Sequence, residues 1–166
     1  MKKIGIFYGS TTGTTESVAE QIASHLGVGS SEVYNVGNTD AKVAEEYELL
    51  ILGSSTWGSG ELQDDWYDFL EQLAGKNLSG KKIALFGWDA MSFGSTFCDA
   101  VGIIYEKLQG TGATFIGTAD PSDYTYDAST AEIDGQLVGL LIDENNEADK
   151  TELRIQNWTD ALKKEI

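Results

Sequence analysis

The chain has 166 residues, 41% of them hydrophobic, with one cysteine and 11 basic residues against 27 acidic ones, a formal charge of −16. That length suits a single domain with a real core. The charge repels nucleic acid and anionic membrane and favours basic protein surfaces as partners. The lone Cys98 excludes an internal disulfide and a cysteine-built metal cluster. No apolar run reaches membrane-spanning length and the sequence opens in strand pattern without a signal peptide, so a cytoplasmic protein is expected.

Taken in order, the chain alternates strand and helix patterns. Residues 3–8 read as a buried strand, and Val18, Ala19, Ile22, Ala23 and Leu26 stripe the helix after it, which Gly27 and Gly29 end. Residues 32–36 form a short second strand, 41–46 a weak helical turn, and 49–53 a third strand of Leu and Ile. A helix over 65–73 places Trp66, Phe69, Leu70 and Leu73 on one face. Residues 82–86 are the fourth strand, and Phe97, Ala100, Val101, Ile104 and Leu108 stripe the next helix. A fifth strand starts over 113–117. A polar stretch, 118–135, then separates it from a second apolar run, 137–142, so that one strand is split by an insertion. A closing helix carries Ile155, Trp158 and Leu162. This rhythm predicts an open, mostly parallel sheet with helices on both faces and ligands at the carboxyl ends of the strands.

Those ends collect the unusual residues. Between strand one and its helix stand five hydroxyl residues, in the run Ser10-Thr11-Thr12-Gly13-Thr14-Thr15. A helix start is already an anion site, because its first N–H groups lack intrahelical acceptors and the macrodipole places positive charge there. Two alternatives for this loop fail on the residues. The triphosphate loop needs a lysine, and none stands between Lys3 and Lys42. The dinucleotide fingerprint needs G-x-G-x-x-G, whereas Gly9 and Gly13 are spaced G-x-x-x-G. A phosphomonoester held by neutral donors fits. After strand three comes Ser54-Ser55-Thr56-Trp57-Gly58-Ser59-Gly60-Glu61-Leu62. After strand four comes Gly87-Trp88-Asp89-Ala90-Met91-Ser92-Phe93-Gly94. Trp57, amid small residues on a loop, either walls a flat aromatic ligand or folds back as a core plug.

These motifs resemble those of the flavodoxins, small FMN-dependent electron carriers, over essentially the whole length. The phosphate loop T/S-x-T-G-x-T appears as Ser10-Thr11-Thr12-Gly13-Thr14-Thr15. The aromatic loop appears as Ser55-Thr56-Trp57-Gly58-Ser59-Gly60-Glu61-Leu62, and the helix start as Phe97-Cys98-Asp99-Ala100. The resemblance implies an α/β flavodoxin-like open five-stranded parallel sheet in the order 2-1-3-4-5. The 118–135 segment resembles the insertion that marks the long-chain group. It also implies FMN as cofactor, with its phosphate in the first loop, its ribityl chain along Thr56 and Asn146, and Ser54, Ser55, Gly60, Gly87 and Asp89 lining the site. The peptide after Gly58 is implied to turn toward flavin N5. Implied partners are basic surfaces of redox enzymes, such as a flavodoxin or ferredoxin reductase or a 2-oxoacid oxidoreductase, met by a monomeric carrier that turns over no substrate of its own.

One departure stands out. The long-chain pattern after strand four, approximately G-x-G-D-Q-x-x-Y-x-x-x-F-x-D-A, is one residue shorter here. Counting back from Phe97 puts Phe93 where the flavin-stacking tyrosine would stand, with Trp88 as its rival. Two other functions share features. An FMN-dependent NAD(P)H-quinone oxidoreductase uses a similar phosphate loop. A phosphoacceptor receiver shares the strand order but needs aspartates where Tyr8 and Gly9 stand. His25, the one histidine, suits the end of its helix as a cation. The acidic run from Asp143 resembles a calcium loop, yet it lacks the glycine at position six and has Arg154 at position twelve, so a solvated turn is expected. The insertion serves as a docking flap or as packing cover, and Cys98 as a small hydrophobe on a helix.

Overall fold

The first apolar run becomes the inner strand on which the sheet is ordered. In the computed structural model, which describes residues 2–9, 13–57, 61–62, 64–89, 98–119, 129, 131–143 and 148–165 (at 2, 57, 61, 62, 89, 143 and 148 the backbone alone), β1 (Lys2–Gly9) lies between β2 (Val33–Asn35) and β3 (Tyr47–Trp57). Both pairings are parallel. A short β4 (Glu61–Leu62) folds back antiparallel on β3. β5 (Lys82–Asp89) follows on the other side of β3. The fifth position is shared: β6 (Thr114–Ile116) pairs with residues 82–84 of β5, and β9 (Gly139–Asp143) continues the same line along residues 85–89. Leaving out the short β4 and counting β5 as the fourth strand and β6 with β9 as the fifth, the order is 2-1-3-4-5, with the last strand split as the sequence predicts.

Alternation along the strands fixes the two faces. Ile6, Tyr8, Leu49, Ile51, Ala84, Phe86, Leu140 and Ile142 point to the side covered by α1 (Thr14–Leu26) and α4 (Thr151–Lys163). Phe7, Leu50, Leu52, Ile83, Leu85 and Leu141 point to the side covered by α2 (Trp66–Ala74) and α3 (Asp99–Lys107). The predicted stripes are the buried ones: Val18, Ala19 and Ile22 on α1, Trp66, Phe69, Leu70 and Leu73 on α2, and Ile155, Trp158 and Leu162 on α4. Each fully buried Val, Leu, Ile or Phe among them contributes roughly 1.5–3 kcal/mol. Gly27 caps α1, and His25 sits in its last turn as expected.

Residues 41–46 form a 3-10 helix, the weak helical turn expected there. The corrections fall at element ends: residue 32 belongs to a 3-10 turn ahead of β2, and residue 36 to another that follows it. β3 and β5 run beyond their apolar segments, to Trp57 and Asp89. Within the insertion, β7 (Glu132–Ile133) and β8 (Gln136–Leu137) form a hairpin around Asp134 and Gly135, both at positive φ. Leu137 thus belongs to the hairpin and bridges to Ala119, while the second half-strand begins at Gly139. Ala131 and Leu137 are fully buried in the core on the α2 and α3 side, whereas Asp120, Asp123, Tyr124, Tyr126 and Asp127 of the insertion lie outside the described residues.

Candidate functional site

Three connections leave one edge of the sheet. The register sets Gly9, Ser54 and Gly87 abreast, and Ser55 beside Trp88, so the segments after β1, β3 and β5 all depart from the carboxyl end. No group of three or more His, Cys, Asp or Glu among the described residues could hold a metal ion.

Gly13 begins α1. Its backbone stands at φ 90° and ψ −6°, a left-handed conformation that glycine adopts with little penalty. Its carbonyl accepts from the Ser17 N–H at 3.0 Å, so the N–H groups of Thr14, Thr15 and Glu16 precede the first helical bond. No side chain caps this end. Thr15 is 1% exposed, and its Oγ1 is buried without a hydrogen-bond partner. A buried hydroxyl at the positive end of a 13-residue helix is chemically incomplete, and an oxygen of an anion is the kind of acceptor that suits it. Ser10, Thr11 and Thr12 lie outside the described residues.

At the end of β3, Ser54, Ser55 and Thr56 are buried even though they are polar. The Ser54 hydroxyl donates to the Ser55 carbonyl at 2.8 Å. Thr56 Oγ1 accepts from the Ala100 N–H at 3.1 Å, which ties the third strand to the first turn of α3 and leaves the hydroxyl proton to donate elsewhere. Trp57 pairs with Glu61 across the β3–β4 turn. Gly58 and Gly60 lie outside the described residues.

β5 brings Gly87 against α3, where an added Cβ would stand 2.2 Å from Val101 Cγ2. Trp88 packs against the α1 and α4 side of the core, with its Nε1 buried and unpartnered. It is therefore a residue of the sheet and not a ring on the loop. Asp89 pairs with Asp143 through the backbone. Phe93 and Asn146 lie outside the described residues. α3 starts just after Cys98, which is fully buried but stands ahead of the helix at φ 51° and not on its stripe.

A family model described as flavodoxin matches residues 6–158. The chain belongs to the flavodoxin family. Flavodoxin 1 of Azotobacter vinelandii is 44% identical, with 100% of this chain and 98% of that protein covered. A Synechocystis flavodoxin is 40% identical over 98% of this chain and 97% of its own. Among solved structures, Fusobacterium nucleatum flavodoxin bound to flavin mononucleotide has a TM-score of 0.89 at 31% identity, covering 100% of this chain and 99% of that one. A mutant of the same protein, also bound to flavin mononucleotide, gives 0.90 at 32%. These relatives all carry the flavodoxin name, and none favours the quinone oxidoreductase alternative.

In this flavodoxin two further side chains stand at the same edge, and the motifs in the sequence do not single them out. Thr151 and Arg154, in the first turn of α4, are both 7% exposed, and Thr151 Oγ1 has no hydrogen-bond partner. The signal was present in the sequence: Thr151, Arg154, Ile155 and Trp158 fall on one helical face, which puts two polar residues in an apolar stripe. Arg154 is also the residue that breaks the calcium-loop pattern. No helix among the described residues is long and apolar enough to cross a membrane.

Proposed function

We propose that this flavodoxin binds FMN at the carboxyl edge of its sheet and, as a cytoplasmic monomer, shuttles single electrons at low potential between redox enzymes. The observation that carries the reading is the buried, unpartnered Thr15 hydroxyl in the first turn of α1. Bound FMN supplies the electron-carrying chemistry, and the chain's residues bind it, orient it and set its electrostatics. Ser10, Thr11, Thr12, Gly13, Thr14 and Thr15 take the phosphate. Ser54, Ser55, Thr56 and Asn146 lie along the ribityl chain, while Gly58, Gly60, Gly87 and Asp89 line the ring. Trp57 and Phe93 flank the ring; Phe93 is preferred to Trp88 because Trp88 is engaged in the core.

The net charge of −16 raises the energy of any further negative charge placed at this edge, which supports a low potential. It also supports positively charged docking faces on the partners, of the kind found on a flavodoxin or ferredoxin reductase or a 2-oxoacid oxidoreductase. The test is the colour of the purified protein. Flavin absorption bands, with FMN and not FAD released on denaturation, are expected. A colourless protein that takes up no added FMN would overturn the reading.

A further inference from the structure

Thr15 Oγ1, Trp88 Nε1 and Thr151 Oγ1 are buried without hydrogen-bond partners, and they come from three different elements. Yet they cap a single core cluster. Val18, Ala19, Phe86 and Ile155 belong to that cluster, and Trp88 packs against it. Thr15 lies one turn before Val18 and Ala19 on the buried face of α1, and Thr151 one turn before Ile155 on the buried face of α4. Trp88 lies two residues beyond Phe86, on the same side of the sheet. Each group is thus one step nearer the carboxyl edge than the same apolar layer. α1 and α4 both start at that edge.

The chemistry of the layer is one-sided. An indole N–H can only donate, and both threonine hydroxyls can donate. The first turn of α4 adds the positive end of a helix dipole and the buried guanidinium of Arg154. Buried donors lacking acceptors indicate a bound acceptor. The loop sequence between β1 and α1 contains no lysine or arginine of its own.

We infer that Trp88 Nε1 and Thr151 Oγ1 extend the phosphate seat of FMN, so that the phosphate is held from the α4 side as well as by the hydroxyl loop on α1. This rests on the FMN reading above. It assigns Trp88 to the phosphate end of the cofactor and not to the ring.

Titration of the apoprotein with FMN and with riboflavin, for wild type, Trp88→Phe and Thr151→Val, tests the assignment, and the 31P resonance of bound FMN gives a second readout. Both substitutions keep most of the side-chain shape and remove the donor. Each is expected to weaken FMN binding roughly tenfold or more, the loss of one hydrogen bond to a charged group, with riboflavin affinity unchanged and the 31P resonance displaced. Equal losses for the two flavins, or an unchanged ratio of affinities with an unmoved resonance, would overturn it. If wild type itself fails to prefer FMN over riboflavin, the failure belongs to the phosphate-site reading and not to these two residues.

Discussion

The phenol of Tyr8, near the end of β1, donates a 2.7 Å hydrogen bond to Glu16 Oε2 in the first turn of α1. The bond joins the strand and the helix on either side of the hydroxyl loop, so the two ends of that loop are held by a contact outside it. Glu16 is an acidic residue in the first turn, where the helix dipole favours it.

The Tyr8 phenol is pushed up from 10.0 to about 12, first by burial and then by its bond to Glu16 and the charge of that carboxylate. Tyr47 is raised as well, by burial and by its bonds to Glu32 and Tyr34. The folded state therefore keeps protons that the unfolded chain releases above pH 10.0, and this stability, complete below that value, is lost as pH climbs toward about 12. Urea unfolding across that window should show the midpoint falling with pH, and falling less steeply in Tyr8→Phe. Equal slopes in the two proteins would count against the Tyr8 assignment.

Thr56→Val should destabilise the fold by about 1–3 kcal/mol, because the buried Ala100 N–H loses its acceptor. Thr56→Ser, which keeps the oxygen, should recover most of that. Chemical denaturation of the three apoproteins measures it; a serine variant as weak as the valine one would place the loss in packing instead.

Gly87→Ala should cost about 1–3 kcal/mol by overpacking, since the new methyl would meet Val101 Cγ2 at 2.2 Å. The double variant Gly87→Ala/Val101→Ala should be more stable than the sum of the single changes allows. A double-mutant cycle in urea decides this, and strict additivity would mean that the clash relaxes elsewhere.

Trp57→Ala and Phe93→Ala should each weaken FMN and riboflavin to the same degree, because a stacked ring adds roughly 0.5–1.5 kcal/mol beyond the area it buries. Fluorescence titration with the two flavins checks the pair. An FMN-specific loss in either variant would place that ring at the phosphate and not at the isoalloxazine.

What could be read from the sequence followed the strength of its periodicity. The stripes on α1, α2 and α4 were plain, because apolar residues seldom recur at helical spacing over several turns unless a helix buries them. The ends of β3 and β5 were hidden. Ser54, Ser55, Thr56, Gly87 and Trp88 look like loop, yet Ser54 has strand neighbours on both sides, Gly9 and Gly87, and this pairing holds polar residues in the sheet. The β7–β8 hairpin was missed: Asp134-Gly135 suits a two-residue turn, but the flanking residues are too polar and too few to read as strands. At the candidate site, the hydroxyl loop announced an anion through composition alone. Thr151 and the indole of Trp88 did not: the polar break that Thr151 and Arg154 make in the α4 stripe marks a buried polar pair but names no ligand, and only the fold brings Thr151 and Trp88 to the same layer as Thr15.

The divided fifth strand has one more consequence. Ile116 pairs with Ala84 and Gly139 with Leu85, so the two ends of the detour meet adjacent rungs of β5. Each half of the fifth strand therefore takes its hydrogen bonds from its own stretch of β5, the first from residues 82–84 and the second from residues 85–89, so the sheet keeps an unbroken row of pairings along β5 although the chain itself is interrupted there.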